Sequence, residues 1–190
     1  MLEAGLGSLV IVDNDTVSIT NINRQLIADT TTVGKPKVEV CKERLLKINP
    51  NLNISTYQEF YDNTKKDIIS PTFSYIVDAI DTVSSKISII EEAKNKNIPI
   101  ISCMGTGNKL DASKFEITDI SKTSVCPLAK VIRKECKLRN LSSVKVLYSK
   151  ENPISTSIEE KHKKVPASIS FVPSVAGLLI AGEVVKDIIS

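Results

Sequence analysis

The chain has 190 residues, enough for a domain with a real core, and its 42% apolar and 25% charged content is that of a soluble globular protein, which excludes a long disordered chain. The formal net charge of +3 and a pI of about 8.6 permit a nucleic-acid partner without requiring one. Cys41, Cys103, Cys126 and Cys136 form no C-x-x-C pair, against a zinc site of the usual spacing, and the apolar run over 171–185 is broken by Pro173, Ser174, Gly182 and Glu183, against a membrane span.

In chain order, residues 4–5 read as the end of a helix with its glycine cap, and Met1-Leu2-Glu3-Ala4 does not read as a leader, so a cytoplasmic protein with reduced thiols is expected. Ser8–Val12 is a continuous aliphatic run, the pattern of a strand buried on both faces, closed by Asp13-Asn14-Asp15. Gly34-Lys35-Pro36 opens a helix with an apolar stripe at Val38, Cys41, Leu45 and Ile48, stopped by Asn49-Pro50-Asn51. Strands are expected over 52–57, 75–80 and 98–102, with a helix over Val83–Asn95 whose face carries Val83, Ile87, Ile90 and Ala93. Alternating strands and helices predict an α/β, Rossmann-like doubly wound sheet, parallel in its first half. In the second half, strands over Phe115–Asp119 and 144–148 flank a helix over 127–139, which makes the sheet mixed there. A polar stretch, about 149–166, predicts a mobile loop; a strand over 168–172 and a helix over 175–189 close the chain.

Ligands of such sheets bind beyond the carboxyl ends of the strands, and here those ends carry Asp13, Asp15, Asp78 and Asp81. Asp13 reads equally as a binder of nucleotide ribose hydroxyls or, with Asp15, as a turn former. Arg24 offers a fork of donors that suits phosphate, with the Asn21 and Gln25 amides beside it; a solvated loop is the alternative. Lys37 stands in the first turn of its helix, where the dipole disfavours a cation; a bound phosphate would explain it, and a surface lysine is the plainer reading. On the 127–139 helix, Lys130, Arg133, Lys134 and Lys137 share one face, opposite Leu128, Val131, Ile132 and Leu138. That face reads either as solvated surface or as a basic stripe for a nucleic-acid backbone, with Lys161, Lys163 and Lys164 as further cations. His162 reads as an exposed loop residue.

Jointly, Asp13-x-Asp15, Asn21-x-x-Arg24-Gln25, Gly34-Lys35-Pro36-Lys37 and Asp78-Ala79-Ile80-Asp81 resemble the adenylation domain of the ubiquitin-activating-enzyme-like (HesA/MoeB/ThiF) superfamily. The runs Met104–Asp111 and Asp119–Thr123, then Pro127-Leu128-Ala129, Arg133 and the 168–174 segment, look like the tRNA threonylcarbamoyladenosine dehydratases within it. The resemblance implies ATP and Mg²⁺ as cofactors: Asp13 on ribose with Asp15 beside it, Asn21, Arg24, Gln25 and Lys37 around the phosphates, and Asp81 on the metal, with Arg24, Lys37 and Asp81 as the catalytic set. It implies ATP-dependent adenylation of the threonyl carboxylate of the modified nucleoside, then ring closure with net loss of water, in a homodimer that sulfur-transfer proteins could assist. Ring closure is intramolecular and needs no enzyme nucleophile, so Cys126 is given no catalytic role. The family's glycine-rich phosphate loop is not among these residues. Residues 1–190 are therefore read as a single, N-terminally incomplete adenylation domain, expected to bind ATP poorly by itself. Competing readings are an adenylyltransferase for the C-terminal glycine of a small sulfur-carrier protein, and a non-catalytic scaffold. An NAD-dependent dehydrogenase is a third, with only the strand-ending acid in its favour.

Overall fold

The computed structural model describes residues 6–154, 159–160, 163–164 and 167–190, with the second and third of these ranges described as backbone only. The chain divides into two compact units, Met1–Tyr61 and Asp62–Ser190.

The first unit is a strand–helix–strand crossover. Strand β1 (Ser8–Val12) and strand β2 (Asn53–Tyr57) pair in parallel, Leu9 beside Ile54 and Val12 beside Tyr57, and helix α1 (Lys37–Ile48) joins them. Between β1 and α1 the chain makes a 3-10 turn at Ile19–Asn21. The two ends of this connection are tied together. Val17 N donates to Lys35 O at 2.8 Å and Gly34 N to Val17 O at 2.8 Å. Gly34 has φ +88, a left-handed conformation that other residues enter at a cost. Val17, Ala28 and Val40 form the core cluster, with Ile27 against it. The α1 stripe differs from expectation at both ends: Val40 is buried beside Val38, while Ile48 is 54% exposed in the last turn. Strand β1 is half-buried instead of fully buried, because among the described residues its only strand neighbour is β2.

The second unit is a four-stranded sheet in the order β3-β4-β6-β5, with β3 (Ile76–Asp78), β4 (Ile100–Cys103) and β6 (Lys145–Ser149) parallel and β5 (Phe115–Asp119) antiparallel at the edge. Successive side chains of a strand point to opposite faces. On one face Ile101 and Leu147 pack against Ala176, Ile180 and Val184 of helix α4 (Phe171–Ile189). The other face of β4 meets helix α2 (Val83–Asn95), which packs on helix α3 (Pro127–Leu138). Helices on both faces of a parallel-then-mixed sheet are the architecture the residue pattern predicts.

Three details correct the sequence reading. No strand forms over 168–172; Phe171 and Val172 open α4 instead, because Val172, Ala176, Ile180 and Val184 recur every four residues and make one buried stripe. Pro173 falls in the first turn, where a missing N–H costs nothing. The buried face of α3 is Ala129, Ile132 and Cys136, whereas Val131 and Leu138 are 43% and 67% exposed. Within the expected 149–166 loop, Ser149 belongs to β6, and β7 (Glu159–Glu160) pairs antiparallel with β8 (Lys163–Lys164). Residues 4–5, Lys161 and His162 lie outside the described residues, as do the side chains of Lys163 and Lys164.

Candidate functional site

In the first unit the expected residues fall into two local groups. Asp13 follows β1 and extends its ladder, Asp13 N donating to Tyr57 O at 3.2 Å. Its carboxylate accepts the Asp15 N–H on Oδ1 at 2.8 Å, the turn-forming role its position allowed, and the residue is half-buried. Asp15 meets Lys37 twice: Lys37 N donates to Asp15 O at 3.0 Å, and the Lys37 ammonium lies 2.6 Å from Asp15 Oδ2. The cation in the first turn of α1 thus has a carboxylate partner in the protein itself. The Asp15 side chain is 59% exposed and that of Lys37 13%. Water reaches the carboxylate of this pair, which weakens its hold on the ammonium and lets another anion compete for it.

The second group is the 3-10 turn. Ser18 and Asn21 close a capping box, Asn21 Oδ1 accepting from Ser18 N at 3.0 Å, and Asn21 is buried. The Asn21 carbonyl accepts the N–H groups of Arg24 and Gln25. Asn21 is therefore the organiser of the loop that presents Arg24. The Arg24 guanidinium folds back on that loop, donating to Thr20 O at 2.7 Å and Asn23 Oδ1 at 3.1 Å. Gln25 Oε1 is buried with no hydrogen-bond partner among the described residues.

In the second unit Asp81 lies on the four-residue bridge between β3 and α2. It is exposed, and its carboxylate accepts a long hydrogen bond from Thr82 Oγ1 at 3.4 Å. An exposed carboxylate this lightly engaged has the hard oxygen donors that Mg²⁺ takes, one or two at a time, together with substrate phosphates. No cluster of three or more metal-ligating side chains occurs among the described residues. Behind Asp81 lies a network the sequence reading missed. Asp78, Lys86 and Ser102 are fully buried; the Lys86 ammonium contacts Asp78 Oδ2 at 2.9 Å, Ser102 Oγ at 3.3 Å and Cys103 O at 2.9 Å. Ser102 Oγ donates to the same Asp78 oxygen at 2.5 Å. The available signal was periodicity: Lys86 falls with Val83, Ile90 and Ala93 at helical spacing, a charge on the apolar stripe eight residues after Asp78.

The run Met104–Asp111 acts as a clamp. Asn108, at φ +58, receives Ile154 N on its carbonyl and Ala167 N on Oδ1, while its own N–H reaches Ala167 O at 2.7 Å. Lys109 is 4% exposed and donates to Glu151 O at 2.7 Å; burial lowers its pKa. The Glu151 carboxylate accepts Leu110 N and Asp111 N, and these bonds, Leu110 first, hold its pKa below the usual range. On α3, Lys130, Lys134 and Lys137 are exposed, as a basic stripe requires. Arg133 is half-buried and donates through Nη1 to Thr123 O at 2.6 Å and Thr123 Oγ1 at 2.7 Å. Cys126 is 3% exposed, and burial pushes the Cys103 thiol up to about 11.

The ThiF family model matches residues 1–190. The chain is 39% identical to a tRNA threonylcarbamoyladenosine dehydratase of Bacillus subtilis, an alignment covering 100% of this chain and 80% of that protein. The dehydratase of Escherichia coli is 34% identical over 72% of this chain and 52% of its own length. Among solved structures, E. coli tRNA N6-threonylcarbamoyladenosine dehydratase in complex with ATP superposes with a TM-score of 0.88 at 27% identity, over 97% of this chain and 76% of that one.

Proposed function

The chain belongs to the ThiF family, and from that membership we propose that it is an ATP-dependent, adenylate-forming tRNA threonylcarbamoyladenosine dehydratase. The observation that carries the reading is 39% identity to a dehydratase over the whole of this chain and 80% of that protein, with Asp13, Arg24, Lys37 and Asp81 all present. In this reading residues 1–190 work as one adenylation domain.

A carboxylate is a poor electrophile until one of its oxygens becomes part of a good leaving group. The threonyl carboxylate would attack the α-phosphate of ATP, giving an acyl-adenylate and pyrophosphate. A nitrogen or oxygen of the same modification would then attack the activated carbonyl, and AMP would leave as the ring closes. Asp13 would take ribose hydroxyls on its carboxylate. Lys37 would exchange Asp15 for phosphate oxygens, and Arg24 would turn from Thr20 O to the same anion; Asn21 and Gln25 would hold the Arg24 loop. Charge on the departing pyrophosphate is what these cations stabilise. Mg²⁺, held by Asp81 and the phosphates, would supply Lewis-acid stabilisation of the same charge. Ring closure needs positioning alone, which agrees with the burial of Cys126.

The tRNA backbone would meet Lys130, Lys134 and Lys137. A cytoplasmic homodimer, assisted by sulfur-transfer proteins, completes the reading. No helix among the described residues is long and apolar enough to cross a membrane.

The test is nucleoside mass spectrometry after incubating this chain, by itself and extended upstream, with ATP, Mg²⁺ and tRNA carrying threonylcarbamoyladenosine. Loss of one water from the nucleoside with the extended chain, with AMP formed in equal amount, is the expected result. ATP turnover stimulated by a small sulfur-carrier protein, with the nucleoside unchanged, would replace the dehydratase reading by a carrier-protein adenylyltransferase.

A further inference from the structure

Lys86 is the one fully buried lysine among the described residues, and all its side-chain partners stand at the ends of β3 and β4. Asp78 closes β3 and lies in register with Ser102 of β4. Its two oxygens divide their work. Oδ2 takes Lys86 and Ser102; Oδ1 accepts the N–H of Ile80 at 3.0 Å, which turns the chain out of the strand. Lys86 also holds the far end of the bridge, its backbone N–H donating to Thr82 O at 2.9 Å. Asp81 therefore sits between two pinned residues: the Ile80 pin runs through Asp78 to the Lys86 ammonium, and the Thr82 pin is the first backbone hydrogen bond of α2. The backbone of Asp81 is held from both sides while its carboxylate stays exposed.

Packing alone does not explain a charge here. Desolvating an ammonium and a carboxylate is costly, and apolar side chains of similar volume fill such a space as well or better. What the pair provides is direction: three donors from one ammonium, and a carboxylate whose two oxygens accept from three groups. We propose that Lys86 is a positioning residue for Asp81, acting through Asp78 to set where the cation-binding carboxylate stands. The inference rests on the reading of Asp81 given above.

The test compares Lys86→Met, Lys86→Arg, the neutral pair Asp78→Asn/Lys86→Met, and Asp81→Ala. Three quantities are read: Mn²⁺ affinity by electron paramagnetic resonance with α,β-methylene ATP, the Mg²⁺ half-saturation against the KM for ATP in AMP formation, and amide exchange over residues 79–82. Lys86→Met should weaken Mn²⁺ binding and raise the Mg²⁺ half-saturation by about 10–100-fold, as loss of a group that orients a metal ligand does. The KM for ATP should move less, exchange should quicken at 79–82 with β4 and β6 still protected, and Lys86→Arg should recover part of the loss. A folded Lys86→Met protein with wild-type cation affinity and wild-type exchange at 79–82 overturns the inference. Should that variant not fold, the neutral pair carries the same decision. Asp81→Ala separates the two readings: weakened cation binding there with none in Lys86→Met removes only the role of Lys86, and unchanged binding in Asp81→Ala removes the assignment of Asp81 itself.

Discussion

Two lysine–aspartate pairs of similar length stand in opposite surroundings. Lys37 and Asp15 meet at 2.6 Å in the first unit with the carboxylate 59% exposed; Lys86 and Asp78 meet at 2.9 Å in the second with both side chains at 0%. The exposed pair is weak and exchangeable, so its lysine can leave the protein carboxylate for a ligand. The buried pair is locked by Ser102 and the Cys103 carbonyl, so its lysine serves only the protein. Identical chemistry thus yields an exchangeable cation in one place and a locked one in the other, and the exposure of the carboxylate partner makes the difference.

The sharpest way to break this contrast is to remove one buried partner. Lys86→Met should lower the stability of the second unit by about 3–5 kcal/mol in urea unfolding, because Asp78 is left charged and unpaired, and Asp78→Asn/Lys86→Met should recover much of that. A single-variant loss below about 1 kcal/mol would make the two pairs alike. The converse holds at the surface. Lys37→Met should change stability by about 1 kcal/mol or less while slowing AMP formation by about 100-fold or more, as the loss of a transition-state cation does.

A third pairing, intermediate in exposure, tests the scale between them. Asp187 accepts from Lys145 and from Tyr75 Oη, and the Lys145 bond first, then Tyr75, holds its pKa below 3.8. A depressed carboxylate contributes stability that is complete above the unfolded value and drains as pH falls through the folded one. The acid limb below pH ~4 should therefore flatten in Asp187→Asn, by about 1 kcal/mol or less given the partial exposure of the pair. The smallest effect is expected at Cys126, which is 3% exposed: Cys126→Ser should leave the rate of AMP formation unchanged at temperatures where both proteins are folded. A large rate loss there would give a buried group of the second unit a chemical role.

Much of this fold is written in local patterns. Val83–Asn95 and Phe115–Asp119 form over the residues their periodicity predicts, and Pro127 opens α3 as a first-turn proline does. The last strand was misread because Ile169 and Phe171 alternate with polar neighbours, and that short alternation competes with the four-residue repeat beginning at Val172. Packing of α4 on the sheet decides in favour of the longer period. Among the candidate site residues, Asp13, Arg24, Lys37 and Asp81 stand out in the sequence because their spacing forms a joint motif. Lys86 was not, since a lysine in a helix is ordinarily solvated.

The sequence by itself determined the order and type of the elements, the doubly wound class and the set of polar groups that end the strands, because these depend on residues near one another in the chain. Only the tertiary structure decided what each charge is for. It paired Lys37 with a residue 22 positions away and Ser102 with one 24 positions away, tied the Asn21 and Arg133 side chains to nearby backbone, and buried Lys86. The reason is physical: the worth of a charge or hydrogen bond depends on exposure to water and on its partners, and both are created only when distant segments pack.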